Sequence, residues 1–228
     1  MERRIVLLGK TGSGKSATGN TILNGKYFKV KPSPVLVTTK CEVKTSGHIR
    51  VIDTPGMFNT LLTPYKLRKE MDQCISMSAP GPHVFLLVVK LGRFTEEEKN
   101  AVKWIKENFG KQALLYTIVL FTHTDQLGQR TLDDFLEESL DLRQLLSSCG
   151  NRYLAFNNND SSPSQLESLM QKIEHMIMMN EKQYYTSEMY QHAQRKIHAG
   201  EMFTLGIAAA VGITATAGLA ALGLLIRK

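Results

Sequence analysis

A chain of 228 residues, 43% hydrophobic and 21% charged, has room for one ordinary domain with its own core, and its composition excludes a disordered protein. The formal net charge of +7 suits phosphate ligands, anionic lipid or nucleic acid, but the basic residues are scattered and no aromatic platform interleaves with them, so nucleic acid is not expected as a partner. The three cysteines, Cys41, Cys74 and Cys149, are odd in number, far apart and outside any CxxC or Cys/His pattern. That predicts neither a disulfide framework nor a zinc site, and it fits a reducing cytosolic setting.

In chain order, Ile5–Leu8 is a short apolar strand, and a helix follows over Lys15–Leu23. Cys41–Thr45 and His48–Ile52 flank Ser46-Gly47 as a hairpin. Val84–Val89 and Leu114–Phe121 are apolar runs without alternation, the mark of strands buried on both faces. Between them, Thr95 caps a helix reaching Phe109, with Glu96, Glu97 and Glu98 in its first turn. A helix over Leu132–Leu146 and a last strand, Tyr153–Phe156, come next. A long helix is predicted from about Ser164 towards His198, opened by Ser161-Ser162-Pro163. Within it Leu166, Leu169, Ile173 and Ile177 form a core-facing stripe, and the nearby Met170, Met176, Met178 and Met179 are read with that stripe rather than as a binding groove.

Gly9-Lys10-Thr11-Gly12-Ser13-Gly14-Lys15-Ser16 matches G-x-x-x-x-G-K-[ST] between a strand and a helix. Glycines there let backbone N–H groups curl around phosphate oxygens without Cβ clashes, and the helix that continues through Ala17 aims its positive end at the same anion. Lys15 would reach the β- and γ-phosphates, and the Ser16 hydroxyl would ligate Mg2+. The fold class expected is therefore an α/β P-loop NTPase, a mainly parallel sheet with helices on both faces, with a C-terminal hydrophobic helix added.

Val51-Ile52-Asp53-Thr54-Pro55-Gly56 ends a strand with D-x-x-G, so Asp53 is a metal candidate and the Gly56 N–H a γ-phosphate sensor. A threonine from the Pro32–Cys41 stretch would complete the metal shell, and Thr38 and Thr39 both qualify. Thr122-His123-Thr124-Asp125 stands where Ras-like GTPases carry N-K-x-D. The Asp125 carboxylate can accept from both N1–H and N2–H2 of guanine, a donor pair adenine lacks. His123 is placed to stack on the base, and Asn157 to contact it from the other side.

With these motifs the chain resembles the GTPases of immunity-associated proteins, the GIMAP or IAN family, related to septins and chloroplast-import GTPases. The resemblance rests on GKTGSGKSATGNTIL (Gly9–Leu23), VTTKC (Val37–Cys41), VIDTPGMF (Val51–Phe58), GPHVFLLVVKLGRFTEEE (Gly81–Glu98), LFTHTD (Leu120–Asp125) and RYLAFNN (Arg152–Asn158). It implies an AIG-type domain that takes GTP or GDP with Mg2+ through a THxD-like element, with Thr38 as the switch threonine. It further implies association through nucleotide faces, as a homodimer, a homo-oligomer or a heterodimer with a family member, and scaffolding at membranes. After the GTPase domain this chain is shorter than many members.

Met57 stands where Ras-like enzymes carry the glutamine that orients water, so unassisted GTP hydrolysis is expected to be slow. Arg93, in the Leu91-Gly92-Arg93-Phe94-Thr95 box, is a catalytic candidate across a dimer, beside Lys15. A scaffold that binds GTP without hydrolysing it is the alternative; an ATP-dependent P-loop enzyme is a third reading, for which no arginine-rich lid is found. The domain expectation is a GTPase domain over 1–180, a helical connector over 181–202 and a transmembrane tail over 203–226. Phe203–Ile226 holds no charged residue. As a helix it would reach about 36 Å, against a hydrocarbon core of about 30 Å. Arg195 and Lys196 precede it and Arg227 and Lys228 follow. Such a tail would anchor a cytosolic GTPase domain in the mitochondrial outer membrane or the endoplasmic reticulum.

Overall fold

The computed structural model describes residues 2–30, 38–58, 62–160, 162–181 and 183–196. The predicted tail over 203–226 lies outside them, and among the described residues no helix is long and apolar enough to cross a membrane.

Among the described residues six strands form one sheet: β1 (Arg3–Leu8), β2 (Glu42–Ser46), β3 (Ile49–Asp53), β4 (Val84–Lys90), β5 (Thr117–Thr122) and β6 (Tyr153–Ala155), in the order β2-β3-β1-β4-β5-β6. Only the β2–β3 hairpin is antiparallel; β1 runs parallel to β3 and β4, and β5 parallel to β4 and β6. Helices among the described residues include α1 (Lys15–Ile22), α2 (Pro64–Met77), α3 (Glu96–Lys99), α4 (Ala101–Phe109), α5 (Leu132–Glu137), α6 (Leu140–Ser148) and α7 (Pro163–Met179).

Successive strand residues feed opposite faces, so the uniformly apolar runs serve two cores at once. Ile5, Leu7, Leu86, Val88 and Leu120 pack with Ile22 of α1 and with Leu169, Ile173 and Ile177 of α7. Val6, Leu8, Phe85, Leu87 and Phe121 pack with Met71 of α2, Ile105 and Phe109 of α4, and Leu145 of α6. Each fully buried side chain of this kind contributes about 1.5–3 kcal/mol, so the two-sided burial is what holds the sheet in register. The α7 stripe faces the core as its spacing predicts: Met176 joins it, whereas Met178 and Met179 are exposed.

Several boundaries differ from the sequence expectation. The helix expected over Thr95–Phe109 divides at Asn100, which closes α3 and opens α4. The one expected over Leu132–Leu146 divides where the Ser139 hydroxyl accepts from Leu142 N and starts α6 afresh. Residues 111–116 form a 3-10 turn, so β5 begins at Thr117 rather than Leu114. Helix α7 ends at Asn180 instead of running towards His198, and a second helical stretch covers 187–196. Between them Tyr185 is buried, its N–H donating to Pro82 O and its hydroxyl to Phe109 O. Helix α2 escaped the sequence reading. Its signals were present: Thr63 caps it by accepting from Lys66 N, Pro64 opens it, and Met71, Cys74 and Ile75 give it a buried stripe.

The expectation of unpaired cysteines is corrected. Cys41, just before β2, and Cys74, on the sheet-facing side of α2, form a disulfide with their Cα atoms 6.0 Å apart. Odd number and wide spacing could not reveal the pair, because the sheet and α2, not the chain between them, bring the two together. Cys149 remains free and buried.

Candidate functional site

Every sequence-predicted site residue within the described segments lies at the carboxyl ends of the parallel strands, where a sheet of this kind leaves its crevice. The loop between β1 and α1 fixes the first group. Gly9 has φ 146°, and a Cβ there would stand 2.4 Å from Val88 O, so the loop closes on β4 only with glycine. Gly14, at φ 96°, is the N-cap of α1 and offers no side-chain cap, which leaves the first amides of the helix open to an anion. Gly12, Ser13, Ser16 and Ala17 complete the turn into α1.

Lys15 is only 6% exposed, and its ammonium donates to Gly9 O at 3.1 Å and Lys10 O at 3.0 Å. Burial pushes it down to about 8, with Asp53 pulling the other way. A bound polyphosphate would favour its charged form further and compete for its donors.

The Leu7↔Asp53 register of β1 and β3 carries Asp53 to the same loop. Ser16 Oγ donates to Asp53 Oδ2 at 2.6 Å, and Thr38 Oγ1 stands 3.4 Å from that oxygen and 3.3 Å from Ser16 Oγ. Thr39 is exposed and outside the cluster. Burial raises the Asp53 carboxyl above the usual range, against the opposing pull of Ser16, Lys15 and Thr38. Its other oxygen, Oδ1, is buried with no hydrogen-bond partner. A buried carboxylate oxygen left open beside two hydroxyls is a donor set for a hard divalent cation such as Mg2+. Among the described residues no cluster of three His, Cys, Asp or Glu side chains offers a different metal site.

The D-x-x-G segment packs directly on the phosphate loop. A Cβ on Gly56 would lie 2.2 Å from Thr11 Oγ1 and 2.8 Å from Thr11 N, so the position admits no side chain. Met57 N donates to Gly9 O, and the Met57 side chain, 1% exposed, turns into the core. Beside the loop, Lys10 Nζ reaches Thr95 Oγ1 and Glu97 Oε2, each at 3.4 Å, so the 91–98 segment folds against it. Arg93 in that segment is exposed, with no hydrogen bond or ion pair among the described residues.

At the end of β5, Thr122 Oγ1 donates to Ser13 O at 2.8 Å. This contact, not evident from residue type, ties the T-H-T-D turn to the phosphate loop. His123 takes a left-handed conformation at φ 60°, and its Nδ1 lies 3.1 Å from Thr122 Oγ1. Burial and the charge of Lys90 hold its imidazole below the ordinary value, with Asp125 opposing, so the ring is neutral near pH 7. Asp125 is exposed on the following 3-10 turn. Asn157 has its side-chain oxygen engaged by Asn159 N and its backbone held on both sides by Gln165. The neighbouring Asn158 was missed by the sequence reading: its amide bridges Thr18 and Thr21 of α1, locking the β6 loop to the phosphate helix.

Similarity to known proteins agrees with this geometry. The chain is 37% identical over 194 residues to GTPase IMAP family member 8 of Homo sapiens, covering 82% of this chain and 29% of that protein. It is 35% identical over 208 residues to Immune-associated nucleotide-binding protein 9 of Arabidopsis thaliana, covering 86% and 61%. The chain thus spans less than two thirds of the length of either relative. In fold it is similar to Toc33 from Arabidopsis thaliana in complex with GDP and Mg2+, with a TM-score of 0.56 at 23% identity over 77% of this chain and 84% of that one. It is similar also to a structure from the chloroplast translocon components atToc33 and psToc159, for whose GTPase activity dimerisation is important, with a TM-score of 0.59 at 21% identity over 77% and 82%. The AIG1 family pattern matches residues 3–202, nearly the whole described chain. By that match, and by the phosphate loop, D-x-x-G turn and T-H-T-D turn gathered at one end of its sheet, the chain belongs to the AIG1 family.

Proposed function

We propose that the chain binds GTP and GDP with Mg2+ and acts as a guanine-nucleotide-dependent switch or scaffold. The observation that carries this reading is the meeting of Ser16, Thr38 and Asp53 oxygens beside the buried Lys15, with one Asp53 oxygen left open. Magnesium, when bound, would neutralise charge on the β- and γ-phosphate oxygens. The chain's own groups would do the rest. Amides of Gly12 to Ala17 and the Lys15 ammonium would grip the phosphates, with Lys10 and Thr11 lining the loop. Gly56 N–H would sense the γ-phosphate, Asp125 would accept from guanine, and His123 and Asn157 would flank the base. Displacement of a fluorescent GDP analogue by unlabelled GTP, GDP and ATP tests the reading: GTP and GDP should displace it and ATP should not, and equal displacement by ATP would overturn guanine selectivity.

Hydrolysis in the isolated chain should be slow, because the Met57 side chain is buried and offers nothing to a water. The exposed, unengaged Arg93 is suited to supply charge across a dimer joined at the nucleotide face, with a homodimer, homo-oligomer or family-member heterodimer as the assembly. Specific activity should then rise with protein concentration, and a flat dependence would remove the trans mechanism. The second reading, favoured by the same Met57, is a scaffold that holds GTP unhydrolysed; single-turnover measurement separates the two. The 24 uncharged residues of 203–226 support membrane tethering with the GTPase domain in the cytosol, at the mitochondrial outer membrane or the endoplasmic reticulum. Release of the chain by alkaline carbonate would refute a span.

A further inference from the structure

We propose that Cys41 and Cys74 form a reversible thiol–disulfide latch that controls how readily the nucleotide site opens, a proposal that rests on the nucleotide reading above. Two independent contacts meet at Cys41. Its sulfur is bonded to Cys74 of α2, and its backbone N–H donates to the Glu70 carboxylate, one turn earlier on that helix, at 2.9 Å. Three residues upstream, Thr38 lies against Ser16 and Asp53. Helix α2 is itself the first helix after the D-x-x-G turn. The bond therefore ties the stretch that carries Thr38 to the helix that follows the D-x-x-G turn. With it closed, Thr38 can move only by the slack of three residues from a covalent anchor in the core. With it open, Cys41 keeps the Glu70 hydrogen bond and its place beside Glu42, which pairs with Asp53 at the end of β2, but the stretch that carries Thr38 loses its covalent tie to α2.

The co-reactant is a small disulfide of the glutathione class. The thiolate of Cys41, at 7% exposure the more accessible of the two, attacks one sulfur of glutathione disulfide and expels a glutathione thiolate. The Cys74 thiolate then attacks the Cys41 sulfur of the mixed disulfide and expels the second. Two electrons pass from the protein thiols to glutathione, and the two thiol protons end on the released glutathione. A dithiol reductant runs the exchange backwards. Disulfides in cytosolic proteins are typically transient and redox-sensing, which suits a bond beside a switch more than one stapling a core. Cys149 stands apart, buried, with its thiol pushed up to about 11.

The test uses the full chain in detergent micelles, loaded with a fluorescent GDP analogue, after treatment with glutathione disulfide or dithiothreitol. Differential alkylation read by mass spectrometry establishes the state of each cysteine. Release should be slower in the oxidised form by about fivefold or more, the lower end of coupling between linked sites. Cys74→Ala should release at the reduced rate under both treatments, and Cys41→Ala gives the same prediction should the first variant not fold. Equal release rates with the bond confirmed, or Cys41 and Cys74 both alkylatable after glutathione disulfide, would overturn the latch. If neither form binds the analogue, the nucleotide reading fails instead. Amide hydrogen exchange over residues 38–46 then still reads the clamp: slower exchange in the oxidised form upholds it, and equal exchange sinks it.

Discussion

At the amino ends of the parallel strands, Arg4 is buried with its donors taken up by the chain, whereas at the carboxyl ends Lys15 and Asp53 are buried with their chemistry unfinished. Arg4 Nε donates to Gly81 O at 2.6 Å, its backbone N–H donates to His83 Nδ1 at 3.0 Å, and its guanidinium stands 5.0 Å over the Tyr184 ring. His83 N–H returns a bond to Arg4 O, and burial together with Arg4 and Arg3 lowers its imidazole to about 4. Across the sheet, Lys15 borrows two loop carbonyls and Asp53 keeps an open oxygen. The same element, a strand end with an adjoining turn, thus makes a closed polar cluster in one place and an incomplete one in the other. Around Arg4 the paired groups hold the fold, whereas the open Asp53 oxygen, next to Ser16, Thr38 and Lys15, marks where a ligand belongs.

The largest effect should come from Lys15→Ala. Nucleotide affinity should fall about a hundredfold or more, since each hydrogen bond to a charged group contributes about 1.5–3 kcal/mol. The melting temperature without ligand should not fall, because a desolvated ammonium is removed. Titration with a fluorescent GDP analogue beside a thermal melt reads both, and a large loss of stability would mean that Lys15 is structural like Arg4. Asp53→Asn sharpens the same contrast at the metal. The gain in affinity on adding Mg2+ should shrink about tenfold or more, the scale seen when a metal site's hydrogen-bonded surroundings are altered.

Arg4→Met tests the closed end. Stability should drop by about 1–3 kcal/mol, the cost of leaving buried partners unpaired, with nucleotide affinity of the folded fraction unchanged. Thr122→Val should loosen the tie to Ser13 O and weaken nucleotide binding by a few fold, matching about 0.5–1.5 kcal/mol for a neutral hydrogen bond. A pH slope probes the closed end in another way. Folded His83 takes its proton near 4 and an unfolded histidine near 6.5, so between those values the unfolded chain binds more protons. The contribution is fully present above 6.5 and declines as pH falls towards 4. Denaturation midpoints across this window should show the slope, and His83→Gln should flatten it.

What could be read along the chain was local. The phosphate loop needs consecutive amides in one turn, the D-x-x-G and T-H-T-D turns each lie within four residues, and apolar runs alternating with helical stretches announce a parallel sheet. Asp53, Ser16 and Lys15 were nameable from those motifs; residue type left Thr38 and Thr39 level and only the family resemblance pointed to Thr38, because the choice depends on which hydroxyl reaches Asp53. The breaks at Asn100 and Ser139 and the end of α7 at Asn180 were equally hidden, since continuous helical periodicity does not show where a chain must turn to cover the sheet. The tertiary structure alone decided that Met57 faces the core, that Thr122 joins Ser13, that Asn158 locks onto α1 and that Cys41 meets Cys74. Each of these contacts links positions far apart in sequence. Strand register and the docking of α2 set their distances, and neither is written in any short window of residues.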